Sequence, residues 1–202
     1  MLKNKVLILE HFFLKIELYT LSNNILTLLK FYVPLVALLC FAGCKNGESL
    51  FSKSKSNRPS PPAVALGKVN DVEVKIEYSS PRVKQRQIWD GLVPYGKLWR
   101  TGANEATTLS VNVDTYINDQ LLPKGKYSLF TIPNDKQWTI IINKVWDLWG
   151  SYDYDISKDV MRLDVAPYEL EKHVEKMTFS VAKDNISFKW EKLGFDLSVR
   201  KG

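Results

Sequence analysis

From Val64 onward, the dominant period of apolar residues in this chain is two. Val72, Val74, Ile76 and Tyr78 alternate with Glu73, Lys75 and Glu77, and Leu109, Val111 and Val113 alternate with Thr108, Ser110 and Asn112. The same spacing runs through Trp138, Ile140 and Ile142, then Met161, Leu163 and Val165, then Met177, Phe179 and Val181. It recurs in Ile186, Phe188 and Trp190 and in Phe195, Leu197 and Val199. Successive side chains of an extended strand point to opposite faces, so each set makes one apolar and one polar face. Such strands pack as antiparallel sheets over a shared core. Turn-forming residues separate them at Asn70-Asp71, Asn118-Asp119, Pro123-Lys124-Gly125, Asn134-Asp135 and Lys183-Asp184-Asn185. The expectation is an all-β fold, an antiparallel, jelly-roll-like β-sandwich with at most one short helix. That helix is placed at Tyr168 to Lys176, with Pro167 at its start.

The chain before this pattern has a different character. An apolar run from Phe31 to Ala42 follows Lys30 and ends at Gly43-Cys44. About 12 apolar residues suit a signal core and fall short of the roughly 20 needed to span a bilayer. A short apolar run, two small residues and a cysteine resemble a bacterial lipoprotein signal, in which the cysteine is acylated and becomes the first mature residue. Cys44 is the expected lipid attachment point. Cys40 follows the bulky pair Leu38-Leu39 and suits that role poorly. Residues 1–29 are long and largely apolar for a signal start and include Glu10 and Glu17, so translation is expected to begin near Leu26 to Lys30.

Three regions follow: a signal region at 1–43, a lipidated cysteine with a disordered tether at 44–62, and a single β-domain at 63–202. The tether is rich in Ser, Lys and Pro, with little to bury. Of 28 basic and 22 acidic residues, four Lys and two Glu precede residue 45, which leaves a net charge of +4 on the remainder. Opposite charges are interspersed and form no basic block, which argues against nucleic acid. Both cysteines lie at or before residue 44, so cysteine catalysis and thiolate metal sites are excluded from the domain.

Arg86 to Thr108 breaks the alternation. It carries three glycines, a proline, Trp89, Tyr95, Trp99, Asp90, Arg100, Asn104 and Glu105. A long, non-repetitive stretch of aromatic and polar groups is what a binding loop on a sandwich looks like. Arg100, Asn104 and Glu105 offer donors and acceptors for a ligand, and Trp89, Tyr95 and Trp99 offer faces for a sugar. The same polar groups also suit a structural role, with Arg100 and Glu105 paired to each other or to backbone carbonyls. The candidate ligand-binding set is Trp99, Arg100, Asn104, Glu105, Tyr95 and Asp90.

Gly91-Leu92-Val93-Pro94-Tyr95-Gly96, Trp99-Arg100-Thr101-Gly102-Ala103-Asn104-Glu105-Ala106-Thr107 and Leu122-Pro123-Lys124-Gly125-Lys126-Tyr127-Ser128-Leu129-Phe130-Thr131-Ile132-Pro133 form long motifs. With Trp149-Gly150 and Tyr152-Asp153-Tyr154, they resemble a bacterial domain-of-unknown-function family, the one numbered 2911. The resemblance covers about Gly67 to Val199. It implies an envelope β-domain and transfers no catalytic residue.

Other motifs carry less. Gly91 to Lys97 has most of a phosphate-binding loop, but Leu98 stands where a magnesium-binding Ser or Thr belongs. Asp153, Asp155, Ser157, Asp159 and Asp164 loosely resemble a calcium loop, with Lys158 where glycine is required. His173 has no histidine partner in the domain, so no metal and no cofactor are expected. Trp138 and Trp190 fall on apolar strand phases and are expected in the core. Trp146 and Trp149 either cap one end of the sandwich or stack on a ligand, and capping is preferred. The leading function is a non-enzymatic binding or scaffolding module, lipid-anchored to a membrane of the cell envelope. The outer membrane or periplasmic face is favoured, and the partner is a carbohydrate or an envelope protein. The alternative is a carboxylate-dependent hydrolase acting on a glycan, with acid groups drawn from Asp90, Glu105 or Asp153.

Overall fold

In the computed structural model, residues 57–202 are described. The expected signal region, Cys44 and most of the tether lie outside the described residues. Among the described residues, ten strands run in the order β1 (Pro62–Val69), β2 (Val72–Ser79), β3 (Thr107–Val111), β4 (Thr115–Ile117), β5 (Gln120–Leu122), β6 (Gly125–Ile132), β7 (Trp138–Asn143), β8 (Asp159–Val165), β9 (Tyr168–Val181) and β10 (Asn185–Lys201). They form two antiparallel sheets, ordered β1-β2-β3-β6-β7-β8 and β5-β4-β10-β9. The six-stranded sheet is a meander from which the hairpin β4–β5 departs to join the other sheet. This is the antiparallel sandwich that the period of two requires.

The core lies between the sheets. Ile76, Leu109, Leu129, Ile140 and Leu163 come from one side, and Ile117, Phe179, Phe188 and Leu197 from the other. Trp138 and Trp190 are buried at its centre, with Trp138 ring centroids 5.8 Å from Phe188 and 5.6 Å from Phe195. Fully burying such rings contributes on the order of 3 kcal/mol each. At the margin, β1 runs against β9. A Cβ on Gly67 would stand 2.7 Å from Val181 Cγ1, so this close approach requires glycine.

The expected helix at Tyr168 to Lys176 is instead the first part of strand β9. Leu170 and Val174 stand four apart and suggest a helical period, but Met177 and Phe179 bury as a strand does. The 17-residue β10 offers the backbone pairing that decides the matter. Register shifts between Lys189 and Leu193 change the phase, so the apolar side chains of β9 lose strict alternation. Its charged residues, among them Glu171, Lys172 and Glu175, blunt a sheet edge that would otherwise invite further pairing. The helical content among the described residues is one 3-10 turn at Ile156–Lys158, capped by the Asp155 carboxylate accepting from the Ser157 amide.

Candidate functional site

The segment from Ser80 to Ala106 forms no long strand. It packs across the sandwich and holds six left-handed residues, Lys84, Gln85, Asp90, Gly96, Thr101 and Asn104. Two hydrogen bonds between Trp99 and Thr131 backbones, 2.8 and 2.9 Å, fasten it to β6. Its tryptophans serve the core. The Trp89 ring lies 4.8 Å from Trp138, and Trp99 stacks on Trp190 at 5.8 Å. The Trp99 indole donates to the Gly102 carbonyl at 3.0 Å.

The six candidate residues are not gathered in one place. Asn104 and Glu105 hold the chain that enters the domain. Asn104 Nδ2 donates to the Ser60 carbonyl at 3.1 Å, and Arg58 bonds both Glu105 oxygens at 3.0 and 2.9 Å. Glu105 therefore pairs with Arg58, outside the loop. Arg100 lies beside Gly150, where a Cβ would come within 2.6 Å of Nη1; the glycine, at φ 72°, leaves the guanidinium its room. Asp90 Oδ1 accepts from the Tyr95 amide at 3.4 Å. Tyr95 borders a separate basin of about 520 Å³ with Asp135, Glu169 and Glu191. Burial, followed by Asp135, Asp90 and Glu191, raises the Tyr95 phenol above its usual value.

A cleft lies on the outer face of the six-stranded sheet. Its volume is about 290 Å³. Its floor is Glu77 of β2, Thr108 of β3 and Lys126 of β6, side chains on the face opposite buried Ile76, Leu109 and Tyr127. Lys126 and Lys75 each reach Glu77 at 2.8 Å, and the Thr108 hydroxyl lies 3.5 Å from the same carboxylate. Hydrogen bonds from Lys126 and Lys75 pull the Glu77 carboxyl down to about 2. Pro62 and Val64 form one side, with Glu105 at the edge.

The other side is Trp146, Asp147 and Leu148, from a loop folded over the sheet. Buried Asn143 closes that loop. Its amide donates to the Asp155 carbonyl and to Asp159 Oδ1, both at 2.8 Å, while its oxygen accepts from the Val145 amide at 2.9 Å. Ser128 Oγ donates to the Val145 carbonyl at 2.7 Å. Leu148 and Tyr154 pack on Ala106, Phe130 and Ile141 as a second small core outside the sheet. The Tyr154 hydroxyl donates to Asp159 at 2.6 Å, and burial with that bond raises its phenol to about 12. Asp159 also receives Arg162 at 2.8 Å, so this carboxylate is engaged in holding the loop.

Trp146 and Trp149 do not cap the sandwich. They are 43% and 56% exposed, and Tyr152 beside them is 82% exposed. Lys126 Nζ stands 4.3 Å from the Trp146 ring and Arg58 5.8 Å from the Trp149 ring. Glu77, Lys126 and Asn143 carry no sequence signal that marks them as parts of a site. Glu77 and Lys126 look like ordinary solvent-facing strand residues, and no local signal marks the loop that covers them. His173 is exposed and lies 3.3 Å from Glu175.

A family model described as a protein of unknown function matches residues 60–199. No curated protein and no solved structure matches the chain. With the match spanning more than half of the sequence, the chain belongs to the protein family of unknown function DUF2911.

Proposed function

We propose that this chain is a lipid-anchored cell-envelope protein whose β-domain is a non-enzymatic binding module, taking a neutral carbohydrate in the Trp146 cleft. One observation carries this reading: a half-exposed tryptophan stands at the lip of a cleft with an ionic, hydrogen-bonding floor of Glu77, Lys126 and Thr108. Sugars present apolar C–H faces and hydroxyl edges, and an exposed ring beside fixed donors and acceptors matches both.

The hydrolase alternative needs a carboxyl that retains a proton near neutral pH. Glu77 is held near 2, which suits an ionised hydrogen-bond acceptor and not a proton donor. Glu105 is paired with Arg58. Both observations favour binding.

The lipid at Cys44 would sit 13 residues before the first described residue, a reach of about 45 Å at most. Pro62 and Glu105 border the cleft close to where the chain enters the domain, so the proposed anchor would keep the cleft near the membrane. The test is a titration of the full chain with the tetrasaccharide of β-1,4-linked N-acetylglucosamine, watched through the tryptophan indole N–H signals. Binding that moves Trp146 and disappears in Trp146→Ala supports the reading. A wild type whose indoles do not respond overturns it.

A further inference from the structure

More than half of the large apolar side chains left exposed among the described residues lie between Val145 and Val160. Trp149, Tyr152 and Ile156 stand out furthest, at 56%, 82% and 66%. Exposed apolar residues scattered singly are ordinary, but their concentration on one loop marks an interaction surface. The Tyr152 ring folds back on Gly150, with Cδ2 and Cε2 3.4 Å from where a Cβ would stand, so Trp149 and Tyr152 share one turn.

The loop does not need these side chains to hold its shape. Its own anchors point inward: Leu148 and Tyr154 pack on Ala106, Phe130 and Ile141, and the Ala106 amide donates to the Leu148 carbonyl at 3.0 Å. Its two ends are tied where the Asn143 side chain bonds the Val145 amide and the Asp155 carbonyl, and the Lys144 amide donates to the Lys158 carbonyl at 2.9 Å. A fixed loop therefore holds aromatic rings outward before any partner arrives, which removes the cost of ordering it on binding.

The chemistry and position of the loop favour a lipid surface. Trp and Tyr settle at the headgroup level of a bilayer, where the ring is buried and its N–H or O–H stays wet. The Arg58 guanidinium stands 5.8 Å from the Trp149 ring, and Lys144 and Lys158 flank the loop, while Asp147, Asp153 and Asp155 lie along it. Such a balance of signs matches zwitterionic headgroups, which carry phosphate and amine together, better than a strongly anionic surface. Arg58 is also the second described residue, so the chain leaves the β-domain towards Cys44 beside Trp149. A lipid at Cys44 would hold the loop at an effective concentration on the order of millimolar at the membrane.

We propose that the 144–158 loop docks the β-domain onto a zwitterionic phospholipid bilayer, with Trp149, Tyr152 and Ile156 seated among the headgroups. Arg58 stays beside Trp149 at the level of the phosphates. The Glu77 and Lys126 floor of the Trp146 cleft takes no part in the docking. For its strength the docking rests on the proposed lipid at Cys44, since one loop of this size binds weakly and reversibly by itself.

The test uses the full chain, prepared with 5-fluorotryptophan, and phosphatidylcholine vesicles with and without a spin label on the headgroup. Mass analysis of Cys44 reports its acylation separately. The expected result is selective broadening of the Trp149 fluorine signal by the label, while buried Trp138 and Trp190 keep their linewidths. The double substitution Tyr152→Ala with Ile156→Ser, at two exposed positions, reduces that broadening several-fold and preserves the unfolding midpoint. If Cys44 is acylated and Trp149 is broadened no more than Trp138, the docking is overturned and the anchor stands. If Cys44 carries no lipid, the anchor reading fails, and the same spectra at high lipid decide the docking: selective broadening of Trp149 supports it and none overturns it. Equal broadening in the folded double variant overturns it as well; should that variant fail to fold, the wild-type spectra decide alone. A Trp149 signal that shifts with protein concentration and ignores vesicles assigns the loop to a second copy of the chain, which also overturns the docking.

Discussion

One nitrogen of Arg58 bonds both carboxylate oxygens of Glu105, at 3.0 and 2.9 Å, and so ties the entering chain to the loop before β3. The pair stands beside the Asn104 bond to Ser60 and the bond from the Ser80 amide to the Pro61 carbonyl at 2.9 Å. With side chains 24% and 37% exposed, it contributes less than about 1 kcal/mol to global stability. Its effect is local. Arg58→Ala is expected to leave the melting temperature nearly unchanged while hydrogen exchange at the Ser80 amide quickens several-fold. Unaltered Ser80 exchange would show that the clamp does not hold this segment.

The Glu77 floor predicts an acid-side dependence of stability. Its carboxyl is held near 2 in the fold against an ordinary value of 4.5, so the unfolded chain binds more protons between these values. The stabilisation is present above pH 4.5 and is lost as pH falls towards 2. Because the side chain is about a third exposed, solvent screening reduces this to about 1 kcal/mol. Urea unfolding of wild type and Glu77→Gln should therefore differ at pH 7 and converge towards pH 2.5. A constant difference across that range would contradict the assignment.

Gly67 tests the contact between the two sheet margins. Gly67→Ala puts a methyl 2.7 Å from Val181 Cγ1 and is expected to cost about 1–3 kcal/mol. Val181→Gly in the same chain, which removes both Cγ1 and the Cβ at 2.8 Å, should recover part of that loss. Additive effects of the two substitutions in denaturant unfolding would mean that the steric contact is not the cause.

Much of this architecture was legible in the sequence because most strands bury one face only. Val72 to Tyr78, Trp138 to Ile142 and Met161 to Val165 became β2, β7 and β8 almost as their alternation required. Strand β6 was hidden for the opposite reason. Tyr127, Leu129 and Thr131 face the core while Ser128 and Phe130 are buried beneath the loop after β7, so no alternation survives. Ile186 to Trp190 and Phe195 to Val199 belong to one long strand whose phase flips at a bulge, with Glu191 left-handed at φ 55°. The site was less legible still. Trp99, Arg100, Asn104 and Glu105 were visible as unusual residues, yet their partners, Arg58, Ser60 and Gly150, lie far away in sequence.

Asn143 is the pin of the loop that carries Trp146. Asn143→Ala removes three hydrogen bonds and leaves buried groups unpaired, at an expected cost of about 2–4 kcal/mol. The accompanying sign is increased mobility of the Trp146 indole signal while that of Trp138 keeps its native shift. Simultaneous loss of both signals would indicate global unfolding and not loop release.

The most direct test of carbohydrate binding is the affinity of the full chain for the tetrasaccharide of β-1,4-linked N-acetylglucosamine, measured for wild type, Trp146→Ala and Tyr152→Ala. Wild type should bind, and Trp146→Ala should bind about tenfold or more weakly, with its unfolding midpoint preserved. Tyr152, 82% exposed and not part of the cleft lining, should tolerate its change. Equal affinity in wild type and Trp146→Ala, or no binding by the wild type, would contradict the account.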